Sequence, residues 1–319
     1  MLYKLIKIPA RIAFYFYCRR LKVNNPEAFK KKGPLLIAAN HPNSFLDAII
    51  IDTLFKAPVT ALTRGDVFKN RFVSKILKGL HMLPVYRVSE GVENLEENYT
   101  TFNECNHIFQ NMGIVLIFSE GQCTNEWHLR KLKKGTARLA ISAWQNNIPL
   151  QVLPVGINYS SFRKFGKSIQ LDFGEIIMRE DIITPLHSGL AMIEFNSLLT
   201  KKLQKVVMEI PPLDKQLLKN EFQNREPAIK KLLLKGPAVL GYLLHFPFYY
   251  VASKFVTKKP NDHYDSILVG VLFFLYPISL FLIALITLYY LGSIWALLII
   301  IIFLFTAWSL LQIKNDLPV

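Results

Sequence analysis

The 319 residues are 51% hydrophobic and 13% aromatic, with a mean hydropathy of +0.26, too apolar overall for an ordinary soluble globule. An excess of 38 Lys and Arg over 23 Asp and Glu gives a net charge of +15 and directs attention to anionic partners: nucleic acid, phosphorylated small molecules or an anionic lipid surface. Cys18, Cys105 and Cys123 form no C-x-x-C pair, which excludes a disulfide framework or a cysteine-spaced metal site and suits a reducing compartment.

In chain order, residues 1–29 come first. Lys4, Lys7 and Arg11 interrupt any apolar core before Ala13, and no small-x-small cleavage site follows. The segment therefore predicts an interfacial amphipathic helix rather than a signal peptide, its cations snorkelling while Phe14, Phe16 and Tyr17 enter the headgroup region. A helix covering the domain's own core is the other reading. Short apolar runs at 34–39, 59–62, 82–86, 114–118 and 150–157 then predict strands, and stretches near 45–55, 70–80, 91–111, 134–146 and 190–208 predict helices. Alternation of this kind defines an α/β domain over 30–212, with a mainly parallel sheet flanked by helices. Pro211 and Pro212 close it.

Residues 213–265 begin as a charged helical stretch and continue, from Pro237 to Val256, as an apolar, aromatic segment broken by Pro247. This segment reads as an interfacial or re-entrant element. From Ser266 to Ile313 no Asp, Glu, Lys or Arg occurs in 48 residues, enough for two crossings of about 20 residues each. The expectation is a transmembrane helical hairpin, 267–290 and 294–312, divided at Gly292-Ser293, kinked at Pro277 and anchored by Tyr289, Tyr290 and Trp295. Lys254, Lys258 and Lys259 precede it and Lys314 follows, which places both ends and the large domain on the cytoplasmic side.

The segment Asn40-His41-Pro42-Asn43-Ser44-Phe45-Leu46-Asp47 carries an imidazole and a carboxylate at the mouth of a strand-to-helix turn. Six positions apart on a regular helix, His41 and Asp47 would face different ways, so they meet only in a non-helical loop. Pro42 favours one by steering His41 out of the helical region. A carboxylate accepting Nδ1–H would leave Nε2 as a general base, the second and third members of a triad without its serine. The plainer alternative is a helix capped by the Ser44-x-x-Asp47 pair beside an ordinary loop histidine.

Other strand ends bear on that choice. Leu83-Pro84-Val85-Tyr86 delivers Arg87; Val115-Leu116-Ile117-Phe118-Ser119 opens into Glu120, Gly121, Gln122 and Cys123; and Val152-Leu153-Pro154-Val155-Gly156 is a buried run containing proline. Ligands of open α/β sheets sit off the carboxyl ends of strands, so the four ends describe one pocket. A serine hydrolase is excluded, since Ile117 stands where G-x-S-x-G around Ser119 needs glycine. A phosphate-binding loop at Gly166-Lys167-Ser168 fails for the same reason at Ser161.

In this order, over roughly 30–210, the four segments resemble the motifs of the glycerophospholipid acyltransferase family. The resemblance implies acyl transfer from a thioester, acyl-CoA or acyl carrier protein, to the hydroxyl of glycerol-3-phosphate or lysophosphatidate, with no cofactor or metal and no nucleic-acid partner. It implies His41 as general base, Asp47 as its orienting carboxylate, and Arg87 with Glu120 and Gly121 at the acceptor phosphate. Pro154 and Gly156 then fall on the acyl-donor side, and Asn40, Asn43 and Ser44 support the loop. Gly121 is also a candidate N–H donor to the oxyanion, and Glu120 a buttress rather than a proton carrier.

Two departures stand out. Five residues, not the usual four, separate His41 from Asp47, as in members resembling eukaryotic glycerol-3-phosphate and dihydroxyacetone-phosphate acyltransferases, which leaves the acceptor open. The family's proline before Glu120 and threonine-arginine pair after Gly121 are missing, and Arg130, Lys131, Lys133 and Lys134, or Arg64, Lys69 and Arg71, are candidates to replace that arginine. For each of these taken singly, a solvated or lipid-facing charge is the plainer reading. A non-catalytic, basic, membrane-associated scaffold or lipid-binding protein would explain charge and hairpin without using His41.

Overall fold

A computed structural model describes residues 2–86, 97–211, 214–222, 227–256 and 262–313. The chain forms two units, one from Met1–Arg11, Lys22–Asn158 and Gln170–Pro212, the other from Ile12–Leu21, Tyr159–Ile169 and Leu213–Val319.

The elements run α1 (Leu2–Tyr17), β1 (Cys18–Val23), β2 (Leu35–Ala39), α2 (Phe45–Leu54), β3 (Val59–Arg64), α3 (Arg71–Gly79), β4 (Met82–Val85), α4 (Glu97–Gln110) and β5 (Ile114–Phe118). They continue as α5 (Lys134–Gln145), β6 (Gln151–Tyr159), β7 (Lys167–Phe173), α6 (Gly189–Gln204), α7 (Lys215–Phe222), α8 (Ala228–Lys254), α9 (Tyr264–Leu291) and α10 (Ser293–Ile313). The strands make one seven-stranded sheet in the order β1-β7-β6-β2-β5-β3-β4, with β2 parallel to β5 and β6, and β3 parallel to β4 and β5. This is the expected mainly parallel α/β sheet flanked by helices.

Strand β2 occupies the centre because Leu35-Leu36-Ile37-Ala38-Ala39 is wholly apolar and each residue is 0% exposed, as a strand covered on both faces requires. Cys105 and Phe109 of α4, Ala137, Ile141 and Trp144 of α5 and Phe195 and Leu199 of α6 pack with Leu36 and Ala38 in one core. Register matters most for function. Ala39 lies opposite both Phe118 and Val155, so the chain leaves β2 and β5 at the same level on the carboxyl edge.

Three expectations needed correction. The N-terminal helix stops at Tyr17, and Cys18–Val23 is an edge strand rather than part of a helix reaching residue 29. Strand β7 was not among the predicted strands, since Lys167, Gln170 and Asp172 interrupt its apolar pattern. Finally, Ala228–Lys254 is one helix running through both Pro237 and Pro247, not a charged helix followed by a broken segment; packing offsets the N–H that each proline removes. Of the predicted 91–111 helix, Glu97–Gln110 is helical, and residues 87–96 lie outside the described residues.

In the second unit, α9 and α10 are joined at Gly292, which has a φ of 91°. Both are long and apolar enough to cross a membrane. Helix α8 starts against the end of α10, where Lys230 reaches Gln312 (2.8 Å). At mid-length Gly241 lies so close to Thr306 that a Cβ would sit 2.4 Å from its carbonyl oxygen. It finishes against the start of α9, where Ala252 and Val256 cluster with Leu268. Both ends of α8 thus meet the open end of the hairpin. Thr306 donates to the Ile302 carbonyl (2.7 Å) and receives His245 Nε2–H (3.2 Å), whose Nδ1 accepts the Tyr276 hydroxyl (3.3 Å). Asp265, in the first turn of α9, is buried with Lys167 and the Tyr17 hydroxyl on one carboxylate oxygen, and the Tyr17 and Tyr159 rings flank the ammonium, satisfying a charge pair that burial alone would penalise.

Candidate active site

The loop after β2 is assembled from both neighbouring strands. Beyond Ala39 the Asn40 side chain continues the ladder to β6: Nδ2 donates to the Ile157 carbonyl (3.1 Å) and Oδ1 accepts the Ile157 N–H (2.8 Å). His41 follows, then the turn through Pro42, Asn43 and Ser44, with Ser44 at a φ of 55°.

Asp47, in the first turn of α2, is fully buried and its Oδ2 faces back into this turn. It lies 2.9 Å from His41 Nδ1 and accepts the Asn43 N–H at 2.8 Å. A carboxylate only accepts, so Nδ1 carries the imidazole proton and the lone pair is on Nε2. The loop is non-helical, as their meeting demands. The imidazole is stacked on the Phe118 ring, with centroids 3.9 Å apart and planes 8° from parallel, which limits its rotation about the Asp47 bond.

The capping pair expected of Ser44 and Asp47 is not formed. Ser44 makes no side-chain cap bond to α2; Asp47 is drawn instead to the imidazole and the Asn43 amide, and Ser44 N–H donates to Cys123 Sγ (2.9 Å). Asn40, Asn43 and Ser44 support the loop, two of the three through backbone groups.

The segment after β5 holds the same loop from the other side. Glu120 Oε2 accepts the His41 N–H and Oε1 the Arg130 N–H, both at 2.9 Å. The His41 carbonyl accepts the Thr124 N–H (3.1 Å), and the Pro42 carbonyl accepts Asn125 Nδ2 (2.7 Å). Both Glu120 oxygens serve backbone amides, so the side chain is a buttress and not a phosphate ligand. Burial holds its carboxyl above the usual glutamate range, with the Arg130 and His41 N–H groups pulling the other way.

Gly121 is not an oxyanion donor either, because its N–H is given to the Phe118 carbonyl (3.0 Å) in a turn with a φ of 67°. Pro154 and Gly156 are packing positions in β6: the Pro154 carbonyl accepts the Gly174 N–H (2.9 Å), and a Cβ on Gly156 would lie 2.0 Å from the Val206 carbonyl oxygen. The structure packs them against the chain beyond β7 and α6.

Among the cations, Arg130 is tied to the site, its amide on Glu120 and its guanidinium on the Thr124 hydroxyl. Lys131, Lys133 and Lys134 are exposed, with the Lys133 stem against Gly121. Arg64 is engaged by Asp66. Arg87 lies outside the described residues. Phe118 and Cys123, which the sequence places in this segment without a role, and Thr124 and Asn125, which sequence reasoning missed, also belong to the site; for the last two only their place just after a buried strand could have drawn attention to them.

A histidine whose Nδ1 is held by a buried carboxylate, on the carboxyl edge of a parallel sheet, has the geometry a general base needs. The family model described as Acyltransferase matches residues 20–158, which contain every residue from Asn40 to Arg130 described above. With that match, residues 20–158 form an acyltransferase domain, the class to which the ordered segments point. Among solved structures it is similar to the 1-acyl-sn-glycerophosphate (LPA) acyltransferase PlsC from Thermotoga maritima, at 15% identity and a TM-score of 0.46, covering 71% of this chain and 81% of that one. No curated protein matches it.

Proposed function

We propose that the protein moves a fatty acyl group from a thioester, acyl-CoA or acyl carrier protein, to the hydroxyl of a membrane-held glycerol-phosphate acceptor, lysophosphatidate or glycerol-3-phosphate. The observation that carries this reading is the His41–Asp47 pair, with Nδ1 engaged by Asp47 at 2.9 Å and Nε2 left as the base. Nε2 takes the acceptor hydroxyl proton as its oxygen attacks the thioester carbonyl. The C–S bond then breaks, and the imidazolium, stabilised by Asp47, returns the proton to the thiolate. The acyl group arrives activated, so the reaction calls for a base but neither an enzyme nucleophile nor a cofactor. Arg130, bonded to Thr124 beside His41, is the described cation best suited to the acceptor phosphate, with Arg87, Lys131 and Lys134 as further cations. The hairpin α9–α10 crosses the bilayer, α8 enters and returns on one side, and the basic bulk of the chain lies in the cytoplasm.

The deciding experiment incubates membranes containing the protein with acyl-CoA or acyl carrier protein donors and either acceptor, comparing wild type with His41→Ala. Loss of about 10²–10⁴ in rate is expected. Equal product from both proteins would overturn the enzymatic reading and favour the scaffold.

A further inference from the structure

Helix α3 turns its apolar side away from its domain. Along Arg71–Gly79, Phe72, Val73 and Ile76 share one side and Arg71, Lys75 and Lys78 the other. An ordinary surface helix points its apolar stripe at the core. Here Phe72 is 73% exposed, Val73 and Ile76 are exposed with it, and no residue of the helix is buried. The helix is nonetheless well begun: Asn70 caps it, its Oδ1 accepting the Phe72 and Val73 N–H groups at 2.9 and 3.2 Å.

The first turns of α1 lie alongside. The Leu2 side chain is 3.3 Å from where a Gly79 Cβ would stand, and Tyr3 stacks on His81 with centroids 4.2 Å apart. There too the apolar side is outward, with Leu5 and Ile8 exposed. Lys4, Arg11, Lys69, Arg71, Lys75 and Lys78, on the same two segments, are exposed as well, and neither 1–26 nor 67–80 contains an acidic residue. Exposed Val67 extends the patch toward Arg64, at the carboxyl end of β3. In a parallel sheet that is the edge from which the His41 loop also leaves.

We infer that α3, together with the first half of α1, is a docking face for an anionic phospholipid surface. Exposed apolar side chains on one side of a helix with cations on the other match a bilayer interface, where the former enter the headgroup boundary and the latter meet lipid phosphates. A second copy of the same face would set cation against cation, which disfavours self-association. The inference goes beyond anchorage: a hairpin tethers the chain, whereas this face orients the sheet's carboxyl edge toward lipid. It rests on the bilayer placement proposed above.

The test uses the full chain reconstituted in phosphatidylcholine vesicles with and without phosphatidylglycerol. Phe72→Cys, Ile76→Cys and, in α10, Leu297→Cys each receive an environment-sensitive thiol fluorophore; wild type, whose three cysteines are buried, is the labelling blank. Quenching by bromine-bearing acyl chains is then measured. Quenching at 72 and 76 that strengthens with phosphatidylglycerol supports the inference, as does a loss of about fivefold in the docked-to-free ratio for each of Lys75→Glu and Lys78→Glu. Quenching at 297 alone, in either lipid, overturns it while leaving the bilayer placement standing; quenching at none of the three overturns both. A fluorescence change at 72 or 76 that follows protein concentration rather than lipid overturns it in favour of self-association. As a second readout, Phe72→Glu with Ile76→Glu raises the apparent KM for vesicle-borne acceptor and leaves kcat on a water-soluble short-chain acceptor unchanged; a lowered kcat with unaltered KM counts against docking.

Discussion

Asp47 does two jobs with one oxygen, fixing the His41 tautomer and holding the Asn43 amide. Asp47→Asn keeps the volume but removes the charge that stabilises an imidazolium. The expected result is a kcat lower by about 10²–10⁴ with acceptor KM little changed and an unaltered circular-dichroism spectrum. Glu120 makes a different prediction. Its carboxyl is held above the usual range by burial, so the folded state keeps a proton that the unfolded chain has already released. That contribution to stability is complete below the unfolded value and is lost as pH rises through the folded one. Glu120→Gln cannot ionise, so the thermal midpoint loses this pH-dependent segment, while one amide left without its acceptor lowers the curve by about 1–3 kcal/mol. His41, Asp47 and Glu120 were legible in the sequence because their chemistry is rare in a strand-end loop. Thr124 and Asn125 were not, because they hold backbone carbonyls and their own identities carry little signal.

At the scale of elements, hydrophobic pattern located the buried strands β2, β5 and β6 and the helices between them, since burial on both faces demands continuous apolar runs. It missed β7, whose Lys167 is buried by a partner, Asp265, almost a hundred positions away; no local pattern records such a pairing. It also stopped at Pro237, where neighbours in space keep α8 helical. Gly156 shows the same limit in reverse, its role set by the Val206 carbonyl on the far side of the fold. Gly156→Ala forces a Cβ into that backbone and is expected to cost about 1–3 kcal/mol, read as a lower thermal midpoint with the KM for donor unchanged. A raised donor KM at normal stability would instead return Gly156 to the acyl-donor side.

For the molecule as a whole, composition already separated a cationic part from an apolar end, but the path of α8 needed three dimensions. Its two ends meet the open end of the α9–α10 hairpin, while His245 at mid-length bonds Thr306 and Tyr276. With the hairpin across a bilayer, both ends of α8 share one aqueous side and Gly292 faces the other. In sealed vesicles an impermeant thiol reagent should therefore modify Lys230→Cys and Ser253→Cys from the same side, and Gly292→Cys only from the opposite one. Modification of positions 230 and 253 from opposite sides would mean that α8 crosses.

The position of β2 also bears on biosynthesis. Its neighbours in the sheet are β5 and β6, so the strand carrying His41 emerges from the ribosome long before either flank exists. Glu120, Thr124 and Asn125, which hold the loop, come about eighty residues later, and Ile157, which pairs Asn40, 117 later. Contacts so distant form late. A nascent chain thus cannot hold the His41 loop in place until translation has passed β6, with β7, α6 and the α9–α10 hairpin still to be made.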